Sequence, residues 1–364
     1  MSVTDPLLEI SNLTVVRGGS TVLQIPSFVL YGNETVALIG PNGTGKSSFL
    51  LALAGLLPLE SGKIFFKQRA VVPGFASTEY RRKLAMVFQE PLLFDTTVFD
   101  NVAIGLKLRH LSSREIKERV NSCLDRFRIA HLADRSARKL SGGEAQRTSL
   151  ARAFATNPEI ILLDEPFVAL DPPARQALSN DLEQVLRETG ITAILTTHDQ
   201  MDSLRLADRT VVMEQGRIVQ SGTPSSVHNQ PANEFVATFV GMENIYTGTV
   251  KEADNGLFSV SVSGQTLQIM GDGTPPESVV ICIRPEHVVI SLTRQEAATS
   301  ARNIFPCTIS KIVQLGLFTM VYLDCDFSLV AAITNQSLES LALQTGSRVF
   351  ASFKATAVHV LRKS

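Results

Sequence analysis

Residues 35–57 read Thr35-Val36-Ala37-Leu38-Ile39-Gly40-Pro41-Asn42-Gly43-Thr44-Gly45-Lys46-Ser47-Ser48-Phe49, then Leu50-Leu51-Ala52-Leu53-Ala54-Gly55-Leu56-Leu57. The apolar run Val36–Ile39 has the length of a buried strand, and the run after Ser47 has the length of a helix. Between them, Gly40 to Ser47 fits GxxxxGK[ST]. The glycines let backbone N–H groups turn inward around a phosphate chain. Lys46 adds a full charge, and the Ser47 hydroxyl at the helix start suits Mg²⁺. A merely structural turn needs no lysine followed by serine, so Gly40, Pro41, Asn42, Gly43, Gly45, Lys46, Ser47 and Ser48 are the expected nucleotide contacts.

Two later segments extend this reading. Ile160-Ile161-Leu162-Leu163-Asp164-Glu165 is a buried strand ending in two carboxylates. Asp164 would join Ser47 at the metal, and Glu165 would reach the water that attacks the terminal phosphate. Leu140-Ser141-Gly142-Gly143-Glu144-Ala145-Gln146-Arg147 holds a capping box, Ser141 with Glu144, that should start a helix. Its free N–H groups and positive dipole end suit an anion, and Gly142 and Gly143 leave that end open to a bulky partner.

The texture from Leu8 to Val240 alternates strand runs with helices, which predicts a mainly parallel sheet covered by helices. Charged helix-period sequence over about 90–140 (REIKERVNSCLDRFRIAHL) predicts a helical insert. After Gly241 the period changes to two, as in Phe258, Val260 and Val262, which predicts an all-β domain over 241–364. That domain repeats itself: NIYTGTV from Asn244 matches NIFPCTI from Asn303, 59 residues on, and Gly256-Leu257-Phe258 matches Gly316-Leu317-Phe318. Two small OB- or barrel-like lobes, about 244–292 and 297–364, are expected.

Composition excludes little but points one way. The 364 residues carry 34 basic against 35 acidic side chains, which gives no electrostatic case for a nucleic-acid partner. Cys123, Cys282, Cys307 and Cys325 lie far apart without zinc-site pairs, so all four are expected as reduced thiols. The start of the sequence has acids where an export signal has a basic stretch. The longest apolar run, Phe49 to Leu59, falls short of the roughly 20 residues that span a bilayer. Membrane work would therefore need another chain as anchor.

Taken together, these motifs resemble the ABC ATPase family over Leu8 to about Val240. The resemblance implies an ATP hydrolase that works as a head-to-tail homodimer, the LSGGQ-type signature of one subunit closing on the ATP and Mg²⁺ held by the other. It further implies that Gln89 (in MVFQEP) links the metal to the transport partner, that Asp171 (in ALDPPAR) lies in the D-loop, and that His198 (in TTHDQ) contacts the γ-phosphate. Glu144 stands where the family has glutamine. Arg17 stands where it has an adenine-stacking aromatic, and a guanidinium can also stack on a base.

The tail resembles the accessory β domain of importer ATPases, and its second lobe resembles molbindin-like domains in SARN (Ser300 to Asn303), ITNQS (Ile333 to Ser337) and KAT (Lys354 to Thr356). That implies an oxyanion such as molybdate or tungstate at Ser300, Arg302, Thr334, Ser337 and Lys354. It also implies a subunit held at the cytoplasmic face of the inner membrane by transmembrane permease subunits and fed indirectly by a solute-binding protein. Import of sulfate, iron, a polyamine or a sugar is the alternative. A soluble ABC ATPase acting on nucleic acid or ribosomes fits less well, because there is one cassette and a β tail.

Overall fold

The computed structural model describes residues 5–71, 78–168, 170–254, 256–271, 277–294 and 299–361, in two compact units that divide between Ser225 and Ser226. The strands of the first unit are β1 (Leu8–Arg17), β2 (Ser20–Leu30), β3 (Thr35–Ile39), β4 (Ser61–Phe66), β5 (Arg69–Val71) and β6 (Leu84–Val87). They continue with β7 (Ile160–Asp164), β8 (Thr192–Thr197), β9 (Arg209–Glu214) and β10 (Arg217–Gly222).

Six strands form one sheet in the order β10-β9-β3-β8-β7-β6, parallel throughout except for β10. Every residue of β3, β7 and β8 is buried, as expected for a parallel sheet covered on both faces. Beside it stands an antiparallel sheet, β2-β1-β4-β5, whose alternating strands bury one face. Leu8, Ile10, Leu23, Ile25 and Phe28 of that sheet share a core with Phe49, Leu50 and Leu53 of the helix Lys46–Leu53. Phe28 and Phe49 meet edge-on at 5.2 Å. Each such burial contributes about 1.5–3 kcal/mol, and together they fix the phosphate-loop helix against both sheets.

The insert is helical because its starts are capped. Thr97 caps Val98–Lys107 through the Asp100 N–H, and Ser112 and Glu115 form a capping box on Ser113–Arg126. The helix Gly142–Ala155 follows.

The second unit contains β11 (Asn244–Asp254), β12 (Leu257–Val262), β13 (Gln265–Met270), β14 (Ser278–Ile283), β15 (Val289–Ser291), β16 (Asn303–Leu315), β17 (Phe318–Asp324), β18 (Ser328–Thr334), β19 (Arg348–Phe353) and β20 (Val358–Leu361). Its sheets run β13-β12-β11-β14-β20 and β15-β19-β16-β17-β18. The last strand of each repeat therefore pairs with the other lobe: β20 lies on β14, and β15 lies on β19. The two lobes of the repeat thus exchange one short strand each. Apolar alternation in a strand of three or four residues reports a buried face, not which sheet receives it.

The unit boundary also falls before the change of texture at Gly241. The segment from Ser226 to Val240 is tied to the β unit, because Arg284 donates to the His228 carbonyl and His359 lies 3.1 Å from the Pro231 carbonyl.

The repeated asparagine has a structural role. Asn244 is buried; its amide donates to the Val330 carbonyl at 2.9 Å and accepts the Val330 N–H at 2.7 Å. Asn303, also buried, does the same to Gln268, at 2.8 and 2.7 Å. Each lobe thus clamps a strand of the other with one side chain, and bulges follow Val250 and Ile309 at matching places in the two copies. A further correction concerns the cysteines: Cys307 and Cys325 are joined by a disulfide across β16 and the end of β17, while Cys123 and Cys282 are free and buried. Neighbouring strands bring together two thiols 18 residues apart, which spacing alone does not reveal.

Candidate nucleotide site

The parallel sheet delivers three of the predicted motifs to one edge. Strand β3 runs into the phosphate loop, β7 ends in Asp164 and Glu165, and β8 ends just before His198. A cavity of about 510 Å³ opens there, lined by Asn42, Gly43, Gly45, Lys46, Ser47, Ser48, Gln89 and Glu165. The helix Lys46–Leu53 begins at Gly45 with no side-chain cap, so its first N–H groups remain available to an anion. Gly45 sits at φ 100°, and a Cβ there would stand 2.8 Å from Leu23 Cδ2.

Lys46, only 5% exposed, donates to the carbonyls of Gly40 at 2.8 Å and Pro41 at 3.0 Å. Burial pushes its ammonium below the ordinary lysine value, while Glu165 and Asp164 hold it up. The Ser47 hydroxyl donates to Asp164 Oδ1 at 2.9 Å, and Thr196 donates to the same oxygen at 2.7 Å. Thr196 Oγ1 also accepts the Glu165 N–H at 2.9 Å. Buried Thr196 therefore holds the Asp164 carboxylate and the Glu165 backbone, a role that sequence reasoning missed because a threonine inside an apolar strand looks like any β-former.

Glu165 has the left-handed φ of 43°, rare for a residue with a side chain. Its carboxylate lies 4.0 Å from Lys46 Nζ and 3.3 Å from His198 Nδ1. A carboxylate held between a lysine and an imidazole at the mouth of a phosphate-binding loop is placed to accept a proton from water.

Four residues outside the predicted set line the cavity: Thr21, Val22, Gln215 and Gly216. Gly216 is required by packing, since its φ is 78° and a Cβ would stand 2.4 Å from the Val22 carbonyl oxygen. Arg17 is exposed at the end of β1, opposite Ser20, and is not among the lining residues. The signature is also separate from this cavity. Ser141 and Glu144 form the capping box that starts Gly142–Ala155, with Glu144 also 3.6 Å from Arg135. None of Ser141, Gly142, Gly143 or Glu144 lines the cavity. Asp171 caps Pro172–Thr189 by accepting the Ala174 N–H at 2.8 Å.

The chain matches the ABC transporter family model over residues 23–168 and the TOBE domain model over 299–360. The molybdate/tungstate import ATP-binding protein WtpC of Pyrococcus horikoshii is 35% identical over 342 residues, covering 92% of this chain and 94% of that protein. The chain belongs to the ABC transporter ATP-binding subunits. Another relative of this ABC subunit is the spermidine/putrescine import ATP-binding protein PotA of Borreliella afzelii, 36% identical over 78% of this chain and 80% of its own length. Among solved structures, CbiO1 of Clostridium perfringens, part of the ABC transporter complex CbiONQ, aligns with TM-score 0.57 and 31% identity over 61% of this chain and 90% of its own. The ABC subunit is thus an ATP-hydrolysing import ATPase with a C-terminal all-β domain. Among the described residues, no helix is long and apolar enough to cross a membrane.

The candidate oxyanion residues fall into separate places on the ABC subunit's tail. Ser300 and Lys354 line one cavity of about 470 Å³, with His287, Thr299 and Thr356. Thr334 instead caps the helix Asn335–Ser340 by accepting the Ser337 N–H at 3.0 Å, the two hydroxyls lie 2.8 Å apart, and Arg302 is exposed outside both. The expected five-residue set is therefore not assembled in one cavity of a single chain.

Proposed function

We propose that this subunit powers import of molybdate or tungstate through a membrane permease, acting at the cytoplasmic face as a head-to-tail dimer with two ATP molecules between the subunits. The observation that carries the dimer is the incomplete site. The phosphate loop, Gln89 and Glu165 share one cavity, whereas the anion-seeking end of the signature helix lies outside it. A second copy supplies that end, as C2 symmetry allows.

In this reading the loop N–H groups and Lys46 bind the β- and γ-phosphates, Glu165 accepts the proton of the attacking water, and His198 steadies the γ-phosphate. Gln89 reports the state of the site to the permease, Asp171 meets the partner subunit, and Arg17 stacks on adenine once nucleotide is bound. The Ser47 hydroxyl and Asp164 carboxylate, hydrogen-bonded at 2.9 Å, are the hard oxygen donors that suit Mg²⁺. When bound, the ion neutralises charge on the phosphates.

For the substrate, two observations favour the oxyanion: likeness to the molybdate/tungstate protein extends through the tail, and Ser300 and Lys354 share a cavity there. The polyamine relative supports a second reading, import of a small polycation. Titrating the ATPase rate of the reconstituted transporter with molybdate, tungstate, sulfate and putrescine separates them. A dianion that accumulates inside is expected to slow the parent, and Lys354→Ala to relieve that inhibition. A flat oxyanion titration would remove the tail from regulation.

A further inference from the structure

We propose that Arg175 is a positioning residue for hydrolysis: it ties the turn that carries His198 to the start of the helix Pro172–Thr189, and so holds the imidazole at Glu165. This rests on the reading of Glu165 and His198 as reacting groups. Arg175 Nη2 donates to Asp199 Oδ2 and to Asp202 Oδ2, each at 2.7 Å. Asp202 is buried and also accepts from Thr197 Oγ1 at 2.9 Å, and the Asp199 N–H returns to Thr197 Oγ1 at 3.0 Å. Both neighbours of His198 in the chain are thereby inside one network, although His198 itself is exposed.

At its other end the tether is equally local. The Arg175 N–H donates to the Asp171 carbonyl at 2.8 Å, one turn from the residue that caps the helix. A single guanidinium thus holds two carboxylates together beside the reacting groups. Burial pushes the Asp202 carboxyl up, and Thr197 and Arg175 oppose that shift. Without the guanidinium, Asp199 and Asp202 repel one another, and the turn opens. An imidazole displaced by about 1 Å costs up to 100-fold in rate without touching the phosphate loop.

Steady-state ATP hydrolysis by the full chain tests this with Arg175→Ala, His198→Ala and the double variant, alongside the Kd of a fluorescent ATP analogue. Arg175→Ala is expected to lower kcat by about 10- to 100-fold with KM and Kd within about twofold, and the double variant to be no slower than His198→Ala. Arg175→Lys, which keeps a charge able to bridge two oxygens, should recover part of the rate. Where His198→Ala leaves no rate to divide, the His198 imidazole resonance, assigned by its loss in that variant, should shift in Arg175→Ala; an unmoved resonance would overturn the proposal. So would a further equal loss in the double variant, or a parallel loss of kcat, nucleotide affinity and melting temperature. A parental rate for Arg175→Ala beside a slow His198→Ala would sink the tether alone. A parental rate for His198→Ala would sink the reading of that histidine, and the tether with it.

Discussion

Replacing Glu165 by glutamine keeps the shape of the side chain and removes its charge and basicity. The carboxylate is 12% exposed, 3.3 Å from His198 Nδ1 and 4.0 Å from Lys46 Nζ, while its backbone is held by Thr196. None of the ligands expected to hold phosphate or metal changes, because the Ser47–Asp164 contact and the Lys46 contacts to Gly40 and Pro41 do not involve Glu165. A positioned base is worth about 10²- to 10⁴-fold, and at 1.36 kcal/mol per tenfold this is about 3–5 kcal/mol of barrier. Affinity for ATP should hold or improve, since Lys46 loses a competing carboxylate. The expected result is kcat lowered by that factor, an unchanged or tighter nucleotide Kd, and an ATP-bound dimer that accumulates in size-exclusion chromatography. Hydrolysis by Glu165→Gln within about threefold of the parent would refute the assignment of Glu165 as base, because base catalysis contributes far more than that.

Other outcomes follow from particular contacts. Asn244→Ala leaves the Val330 N–H and carbonyl without their buried partner, and Asn303→Ala does the same to Gln268, so each should destabilise the C-terminal unit by about 1–3 kcal/mol in urea unfolding without changing nucleotide affinity. Gly216→Ala forces a Cβ to 2.4 Å from the Val22 carbonyl oxygen and should weaken ATP binding measured by fluorescence; parental affinity would show that β2 can move away. Hydrogen bonds from Ser141, backbone first, hold the Glu144 carboxyl below the ordinary glutamate range. Because the folded value lies below the unfolded one, this stabilisation is present above the ordinary glutamate value and fades as pH falls through the lowered one. Glu144→Gln should abolish that acid-side slope of the unfolding midpoint.

The ATPase fold and the motifs that meet at the candidate cavity were legible because each motif is contiguous: strand, loop and helix start follow one another in Val36–Ser47, and the capping box is complete within Ser141–Glu144. What escaped the sequence depends on distance along the chain. Thr196 reaches Asp164 from the next strand, and Gly216 reaches Val22 from a different sheet. The tail divides in the same manner. Its repeat was visible in Asn244 and Asn303, but their clamps cross between lobes, and so do the pairings of β15 and β20. Nor does the sequence place Thr334 and Ser337, since a cap and an oxyanion ligand use the same hydroxyls.

Uptake of radiolabelled molybdate by proteoliposomes holding the permease, its binding protein and this subunit tests ATP-driven oxyanion import itself. ATP should drive accumulation that excess unlabelled tungstate abolishes, that putrescine leaves untouched and that Glu165→Gln eliminates. Accumulation of putrescine instead, or molybdate uptake undiminished by Glu165→Gln, would rule out oxyanion import powered through Glu165.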